Sequence, residues 1–99
     1  MLQLDLLMDR NKLAHKLWQE TEKLELSKDL PSIERRMKCN LLLTKIYLKD
    51  ENESDAIWHF CEYEEDFEVW KKRTRKLRKV DHYYNLLCDF EFQIEGLII

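Results

Sequence analysis

Glycine and proline are almost absent from the chain, which contains one of each, Gly96 and Pro31, among 99 residues. Sandwiches, barrels and doubly wound sheets need many tight turns, and these two residues build most of them. A phosphate-binding loop needs several glycines, so the Walker and dinucleotide-binding motifs are excluded. The sequence therefore predicts an all-α fold, a small bundle of three or four helices with antiparallel hairpin packing.

Cysteine is scarce and widely spaced. The three cysteines, Cys39, Cys61 and Cys88, are odd in number and lack the short spacings of a disulfide scaffold, so we expect reduced thiols in an intracellular protein, cytoplasmic or nuclear. His59 and Cys61 lie two residues apart, and residues at that separation on a helix point in different directions. Because structural zinc requires closely paired ligands, we expect no metal site and no cofactor.

Long apolar runs are missing as well. No run approaches the roughly 18 residues that a membrane-spanning helix needs, and Asp5 and Asp9 stand where a signal peptide would be basic. The composition, with 44% hydrophobic and 37% charged residues, is typical of a folded soluble chain. Its length suits one domain, so we expect residues 1–99 to form a single helical domain without membrane contact.

Apolar residues recur at helical spacing in three stretches. They predict a first helix over 3–26, a central helix over 33–48 and a third helix over 56–79. The second stretch is apolar almost all round, which is typical of the most buried helix. Pro31 is acceptable only in a first turn and marks the start of the central helix. The polar run after this helix contains three N-cap candidates for the next: Asn52, Ser54 and Asp55.

The length of the third helix is ambiguous, because no glycine or proline interrupts residues 55–95. An unbroken helix there would measure about 60 Å, whereas a compact chain of this size has a radius of gyration of about 13 Å. We therefore expect a break near residue 81, with Asp81 as the cap of a fourth helix that begins at His82. The alternative is a continuous helix whose surplus length packs on a second chain. A heptad-like seam runs through the segment: Phe60, Tyr63, Phe67, Trp70, Thr74, Leu77, Asp81, Tyr84 and Cys88.

The end of the chain has two possible structures. Residues 89–95 alternate strictly between polar and apolar, which fits a half-buried strand, while a helix over 82–95 is the competing interpretation. A lone strand has no partner elsewhere in this chain and would require another molecule. The last three residues, 97–99, are all apolar, so we expect them to contact the core or a partner.

Charge is strongly segregated in the second half of the chain, although the net charge is only −3. Residues 51–70 contain eight acids and no base, residues 71–79 contain seven bases and no acid, and residues 80–99 contain four acids and no base. The seven bases are Lys71, Lys72, Arg73, Arg75, Lys76, Arg78 and Lys79.

We expect these bases chiefly to form a solvated surface that pairs with the neighbouring acids. The alternatives are contact with nucleic acid, a nuclear-import signal and an acidic protein partner. Contact with phosphates is distinguished by its steep loss as the salt concentration rises.

The aromatic residues of the heptad-like seam indicate a packing surface. Aromatic residues at helical spacing are typical of a core or a helix–helix interface, because they carry large apolar areas and are enriched at interface centres. Trp18 is expected to pack in the same way. We predict a protein–protein interaction module, a small adaptor, regulator or assembly subunit that binds a second copy or another protein, with nucleic-acid binding as the alternative. The predicted partner-binding residues are Trp58, Phe67, Trp70, Leu77, Tyr84 and Leu87.

No pattern in the sequence indicates an enzyme. The chain is short for a cleft that buries a substrate, and no signature surrounds any pairing of cysteine with histidine. The acids within 62–68 are too closely spaced for one to stand out as a general acid. We expect neither catalysis nor a small-molecule substrate.

One stretch resembles a known helical hairpin. Six residues lie at the relative spacings of the signature positions of a tetratricopeptide hairpin: Leu43, Thr44, Tyr47, Ala56, Phe60 and Tyr63. The resemblance covers residues 40–63 and departs from the pattern at Thr44 and Tyr63, where small residues are usual, and at Glu68, where proline is usual. No second copy is recognisable about 34 residues away. The resemblance implies an antiparallel helical pair rather than membership of the family, and such pairs usually function by binding.

Overall fold

The computed structural model describes the backbone of residues 2–98 and the side chains of residues 11–94 and 96. Four helices account for most of this part of the chain: α1 (Leu2–Leu24), α2 (Leu30–Lys49), α3 (Glu53–Arg73) and α4 (Leu77–Ile98). No strand occurs within 2–98. The predicted all-α fold is confirmed.

The first turns of α2 and α3 follow from local capping. Asp29 is extended and its carboxylate accepts hydrogen bonds from the Ser32 backbone N–H at 3.2 Å and the Ser32 hydroxyl at 2.8 Å. Pro31 lies in this first turn, where its missing N–H costs nothing. Asn52, one of the three predicted caps, accepts from the backbone N–H of Asp55 at 3.4 Å. Both helix starts are therefore set by short-range sequence signals.

The break between α3 and α4 falls at residues 74–76 rather than near residue 81. Thr74 is extended, and its hydroxyl accepts a hydrogen bond from the backbone N–H of Lys76 at 3.2 Å, an alternative to continued helix. Asp81 lies inside α4 and does not begin it. The expected position was wrong because the chain turns earlier, at Thr74, without a glycine or proline. This earlier turn allows Trp70 and Tyr83 to pack with ring centroids 5.2 Å apart.

Residues 89–95 are helical, so the strand interpretation is wrong. Phe90 and Ile94, four residues apart, both pack on the core, whereas Phe92 between them is 80% exposed. A strand would have placed all three on one face. The side chains of 97–99 lie outside the described residues.

The helices pack mainly on their neighbours in sequence. α2 and α3 form a closely packed antiparallel hairpin, α1 packs on α2, and α4 packs on α3. Within the described residues, the backbones of α1 and α3 do not approach each other closely, although both helices flank α2. The expectation that the second helix is central is confirmed by the complete burial of Met37 and Leu43. The largest core cluster contains Ile33, Met37, Leu41, Tyr63, Phe67, Trp70 and Tyr83.

Two tyrosines fix α4 against this hairpin. The Tyr63 hydroxyl donates to the backbone carbonyl of Tyr83 at 2.7 Å, and the Tyr83 hydroxyl donates to Glu34 at 2.9 Å. Burial raises the pKa of both hydroxyls, so each remains a donor at neutral pH. Burial alone would also raise the pKa of Glu34, but the hydrogen bond from Tyr83 and the charge of Lys79 outweigh it and lower that pKa. The Glu34 carboxylate therefore stays ionised between its two donors.

Candidate functional surfaces

The six predicted partner-binding residues do not lie on one surface. Phe67 and Trp70 are each 1% exposed and belong to the core, where the packing of α2 and α4 leaves no access for a partner. Leu87 is half-buried against the same core. Three of the six are exposed: Leu77 and Tyr84 on α4, and Trp58 on α3. A partner surface has to be built from these three and their neighbours.

Leu77 and Tyr84 belong to a row of side chains that we call the outer α4 stripe, completed by Cys88 and Phe92. All four are exposed. At 3.6 residues per turn they span an arc of only about 80° and a length of about 22 Å. The stripe lies away from the core face of α4, which carries Tyr83 and Ile94. Phe92 is the member that sequence reasoning missed; the signal was its separation of eight residues from Tyr84, close to two helical turns.

Charge along α4 runs opposite to the usual arrangement. Arg78 and Lys79 lie in its first turn, which contains no acid, and Asp89 and Glu91 lie towards its C-terminal end, where the last turn contains no base. The N-terminus of a helix is electropositive and favours acids, and the C-terminus favours bases. The charges of α4 therefore oppose its own dipole.

The seven-base segment does not form one helical face. Lys71 pairs with Glu68 at 2.8 Å and Lys79 pairs with Glu34 at 3.1 Å, while Arg73 donates to the backbone carbonyl of Lys28 at 2.6 Å. The segment spans the end of α3, the connection and the start of α4, so its charges spread around a corner. Four members are exposed and have neither an ion pair nor a side-chain hydrogen bond within the described residues: Lys72, Arg75, Lys76 and Arg78.

A second candidate surface is the open channel between α1 and α3, which we call the α1–α3 groove. Because the backbones of these helices stay apart where they flank α2, residues of α2 line the floor. Trp18 projects from the α1 wall and Trp58 from the α3 wall, with 43% and 56% of their surfaces exposed. Arg36 and Asn40 of α2 line the bottom of a cavity of about 350 Å³. Trp18 was expected to pack, and its exposure follows from the gap between the walls.

Carboxylates line both walls of the α1–α3 groove. Glu22 and Glu25 lie on the α1 side, and Glu62 and Glu65 lie on the α3 side. None of the four forms an ion pair with another described residue. Burial raises the pKa of Glu62, and the nearby charges of Glu65 and Asp66 raise it further. The groove is therefore a region of concentrated negative potential.

Arg36 of α2 connects α3 to the C-terminal end of α1. Its guanidinium makes a bidentate contact with Asp66, with N–O distances of 2.9 and 3.2 Å, and donates to the backbone carbonyls of Leu24 and Ser27. These carbonyls follow the end of α1, where helices leave acceptors unsatisfied. One side chain of α2 thus neutralises an acid of α3 and caps α1. The remaining groove acids are left unpaired.

A buried polar pair connects α2 and α3 beneath the groove. The Nδ1–H of His59 donates to Asn40 Oδ1 at 2.9 Å, and the His59 ring stacks on Tyr47 at 5.5 Å between centroids. Burial lowers the pKa of His59, and the charge of Asp55 only partly opposes this effect, so the ring is neutral. Asn40 is 4% exposed, and its Nδ2 has no hydrogen-bond partner among the residues with described side chains.

The buried neutral histidine predicts an acid-sensitive fold. An unfolded histidine titrates near pH 6.5, and the pKa of folded His59 lies lower, so between the two values the unfolded chain binds the extra proton. Stability should fall as the pH drops below about 6.5, by at most about 1.4 kcal/mol per pH unit from this residue. Urea unfolding of the wild type and of His59→Gln between about pH 7.5 and 5 measures the difference.

His82→Gln is the matched control for this prediction, because His82 is exposed on α4. The raised pKa of Glu62 adds an opposite trend, but all three proteins share it and it cancels in the comparison. If His59→Gln keeps the same dependence on pH as the wild type, His59 does not carry the effect.

The described cysteine, histidine and acidic side chains do not cluster as metal ligands would. No group of three or more potential ligands occurs among them. Cys61 and Cys88 are exposed and Cys39 is buried. Burial, followed by the charges of Glu64 and Glu65, raises the pKa of Cys61, so its thiol is a weak nucleophile at neutral pH.

Comparison with known proteins gives no assignment: no protein family, no curated protein and no solved structure matches the chain. No helix within the described residues is both long and apolar enough to cross a bilayer. The function therefore has to be inferred from the two surfaces described above, the outer α4 stripe and the α1–α3 groove.

Proposed function

We propose that the protein is a protein–protein interaction module whose outer α4 stripe pairs with the same stripe of a second copy, with the two helices antiparallel. The observation that carries the proposal is the exposure of three large apolar side chains, Leu77, Tyr84 and Phe92, in one row on one helix. Such a row favours burial against another surface. The proposed activity is binding rather than catalysis, and the three free thiols suit a reducing, intracellular location.

Charge complementarity favours a second copy as the partner. In an antiparallel pair the basic start of each α4 lies beside the acidic end of the other, and the two opposed helix dipoles also attract. The charge distribution that opposes the dipole in a single chain becomes favourable in the pair. A parallel pair would bring like charges together.

The pairing has a specific register. Arg78 and Asp89 are eleven residues apart, about three helical turns, so they lie on the same side of the stripe. Antiparallel symmetry places Arg78 of one copy beside Asp89 of the other, and the contact occurs twice because the interface is isologous. Both side chains are exposed and have no ion pair within the described residues.

The dimer is expected to be weak. One face of a single helix buries less than the roughly 800 Å² per partner of a standard interface, so a dissociation constant on the order of micromolar is expected. Light scattering or sedimentation equilibrium between about 10 and 500 µM covers that range. We expect a reversible increase in mass that is reduced by salt and abolished by Phe92→Gln, a change at a residue that is 80% exposed.

Charge reversal tests the register. Arg78→Glu and Asp89→Arg should each weaken dimerisation, and the double variant should restore it, because both pairs are rebuilt with reversed signs. Lys72→Glu is the control, since Lys72 is an equally exposed base on α3 and makes the same change in net charge. A monomer at every concentration contradicts the proposal. So does a double variant that associates no better than either single variant.

The same variants separate this proposal from nucleic-acid binding by residues 71–79. Binding to phosphates would be weakened to a similar extent in Arg78→Glu and in Lys72→Glu, because both remove a base from the same segment. Asp89→Arg would have no specific compensating effect on Arg78→Glu, because phosphate binding does not depend on a contact between these two residues. Recovery in the double variant favours self-association. Equal losses in Arg78→Glu and Lys72→Glu favour the nucleic-acid alternative.

A further inference from the structure

We propose that the α1–α3 groove is a binding site for an extended basic peptide segment, whose arginine or lysine side chains lie between Trp18 and Trp58 and among the four wall carboxylates. The site is separate from the outer α4 stripe, which lies on a different helix. It can bind its ligand whether or not the chain dimerises.

The charges of the groove favour a cationic partner. The carboxylates of Glu22, Glu25, Glu62 and Glu65 face a shared space without a base of their own, since the Arg36 guanidinium is occupied by Asp66 and the end of α1. Arg36 is the only base that lines the cavity within the described residues. Low-dielectric walls concentrate the field of such acids on a ligand in the groove.

The two tryptophans define what kind of cation fits. A guanidinium or ammonium group is attracted to the face of an indole ring, and tryptophan is the strongest aromatic partner for it. Trp18 and Trp58 stand on opposite walls, and no ring contact joins them. A flat guanidinium can therefore lie between the rings while its N–H groups reach the carboxylates. This geometry favours arginine over a hydrated metal ion, which binds oxygen ligands and gains nothing from the rings.

Asn40 indicates that the ligand is a peptide rather than a free polyamine. Asn40 lines the groove floor and is nearly buried; its Oδ1 accepts from His59, and its Nδ2 has no partner among the described residues. A buried donor without an acceptor is unfavourable. The backbone carbonyl of an extended peptide is an acceptor of suitable size, whereas a polyamine contains only donors. A carbonyl on Asn40 would place the neighbouring side chains between the groove walls.

The free groove is destabilised by its own charges. The wall acids repel one another: burial raises the pKa of Glu62, and the neighbouring charges of Glu65 and Glu25 raise it further. Replacing one of these acids with a neutral residue should therefore stabilise the fold while it lowers the affinity for the ligand. A residue with only a structural role does not show this combination. A cationic ligand reverses the penalty by compensating the acids.

The test uses a capped hexa-arginine peptide as probe and tryptophan fluorescence as readout, at low and at physiological salt. Two of the three tryptophans line the groove and Trp70 is in the core, so binding should change the fluorescence through Trp18 and Trp58. We expect saturable binding with one peptide per chain. Replacing both Glu62 and Glu65 with glutamine should weaken it at least about tenfold, since each desolvated charge pair contributes strongly.

Glu64→Gln is the matched control, because Glu64 lies between these two residues in sequence but does not line the groove. It should change the affinity less than about twofold. Glu62→Gln alone should raise the melting temperature while lowering the affinity. Asn40 is tested by comparing peptide with spermine, and the peptide should bind more tightly at equal charge.

Four results would overturn the inference. They are the absence of saturable binding at low salt, an equal loss in Glu64→Gln and in the Glu62 and Glu65 variants, and unchanged binding when Trp58 is replaced by alanine. The fourth is spermine that binds as tightly as a peptide of the same charge, which would rule out a peptide-specific site. Because none of these variants lies on α4, failure here leaves the dimer proposal intact, and Phe92→Gln should bind the peptide normally.

Discussion

Replacing Arg36 with alanine is expected to lower the free energy of unfolding by about 3 kcal/mol, the usual cost of breaking a largely buried ion pair by removing one partner. The loss has three causes. Asp66 becomes an uncompensated carboxylate, the carbonyls of Leu24 and Ser27 lose their donor, and the aliphatic stem of Arg36 no longer packs. Urea unfolding monitored by far-ultraviolet circular dichroism measures the change.

Arg35 supplies the control for this prediction. It is adjacent in sequence and pairs with Glu20 at 2.9 Å, but 65% of its side chain is exposed, against 13% for Arg36. Arg35→Ala should cost less than about 1 kcal/mol, because exposed pairs contribute little. Arg36→Lys should cause an intermediate loss of stability, since lysine keeps the charge but lacks the planar guanidinium that donates to several acceptors at once. Equal losses in the two alanine variants would show that Arg36 does not join the three helices.

The second large effect is expected at Trp70. Trp70→Ala should destabilise the fold by about 4 kcal/mol, because it removes a buried indole and leaves a cavity beside Phe67 and Tyr83. Thermal or urea unfolding is the measurement. Trp70→Phe keeps part of the packing and should retain enough stability to give a complete unfolding curve if the alanine variant does not fold.

Trp58→Ala is the comparison for Trp70. It should change stability by no more than about 0.5 kcal/mol, because Trp58 is exposed and makes only an edge contact with His59. The intrinsic fluorescence of the Trp58 variant should shift towards the blue, since the most exposed of the three tryptophans is removed and the buried Trp70 contributes a larger share of the emission. A large loss of stability in Trp58→Ala would mean that the α1–α3 groove is closed in solution.

Local signals predicted most of the fold. Pro31 marked the start of α2, and Asn52 was among the three candidates for the start of α3, because capping depends on residues within one turn. The position of the break between α3 and α4 was harder to predict. Thr74 lacks a strong preference to end a helix, and its effect depends on the contact between Trp70 and Tyr83 that the turn allows. Tertiary packing thus determined where α3 ends, because no strong local signal marks that position.

The aromatic seam shows what periodicity leaves open. Phe67 and Trp70 continue one face of α3, and that periodicity correctly indicated burial but not whether a helix of this chain or of a partner would cover them. Trp58 lies off the seam and is exposed for that reason. The groove could not be predicted, because its width depends on how far apart the backbones of two helices lie when both pack on α2. No local pattern encodes that gap.

The packing of each helix on its neighbours in sequence has a consequence for folding kinetics. The connections between the helices, at residues 25–29, 50–52 and 74–76, are short, so each pairing closes a small loop and loses little chain entropy. Contacts of this kind give a low contact order, for which folding in about microseconds to milliseconds is typical. The α2–α3 hairpin combines a short connection, residues 50–52, with the most extensive helix packing. We therefore expect it to form the folding nucleus. α1 and α4 can then add independently, one to each side.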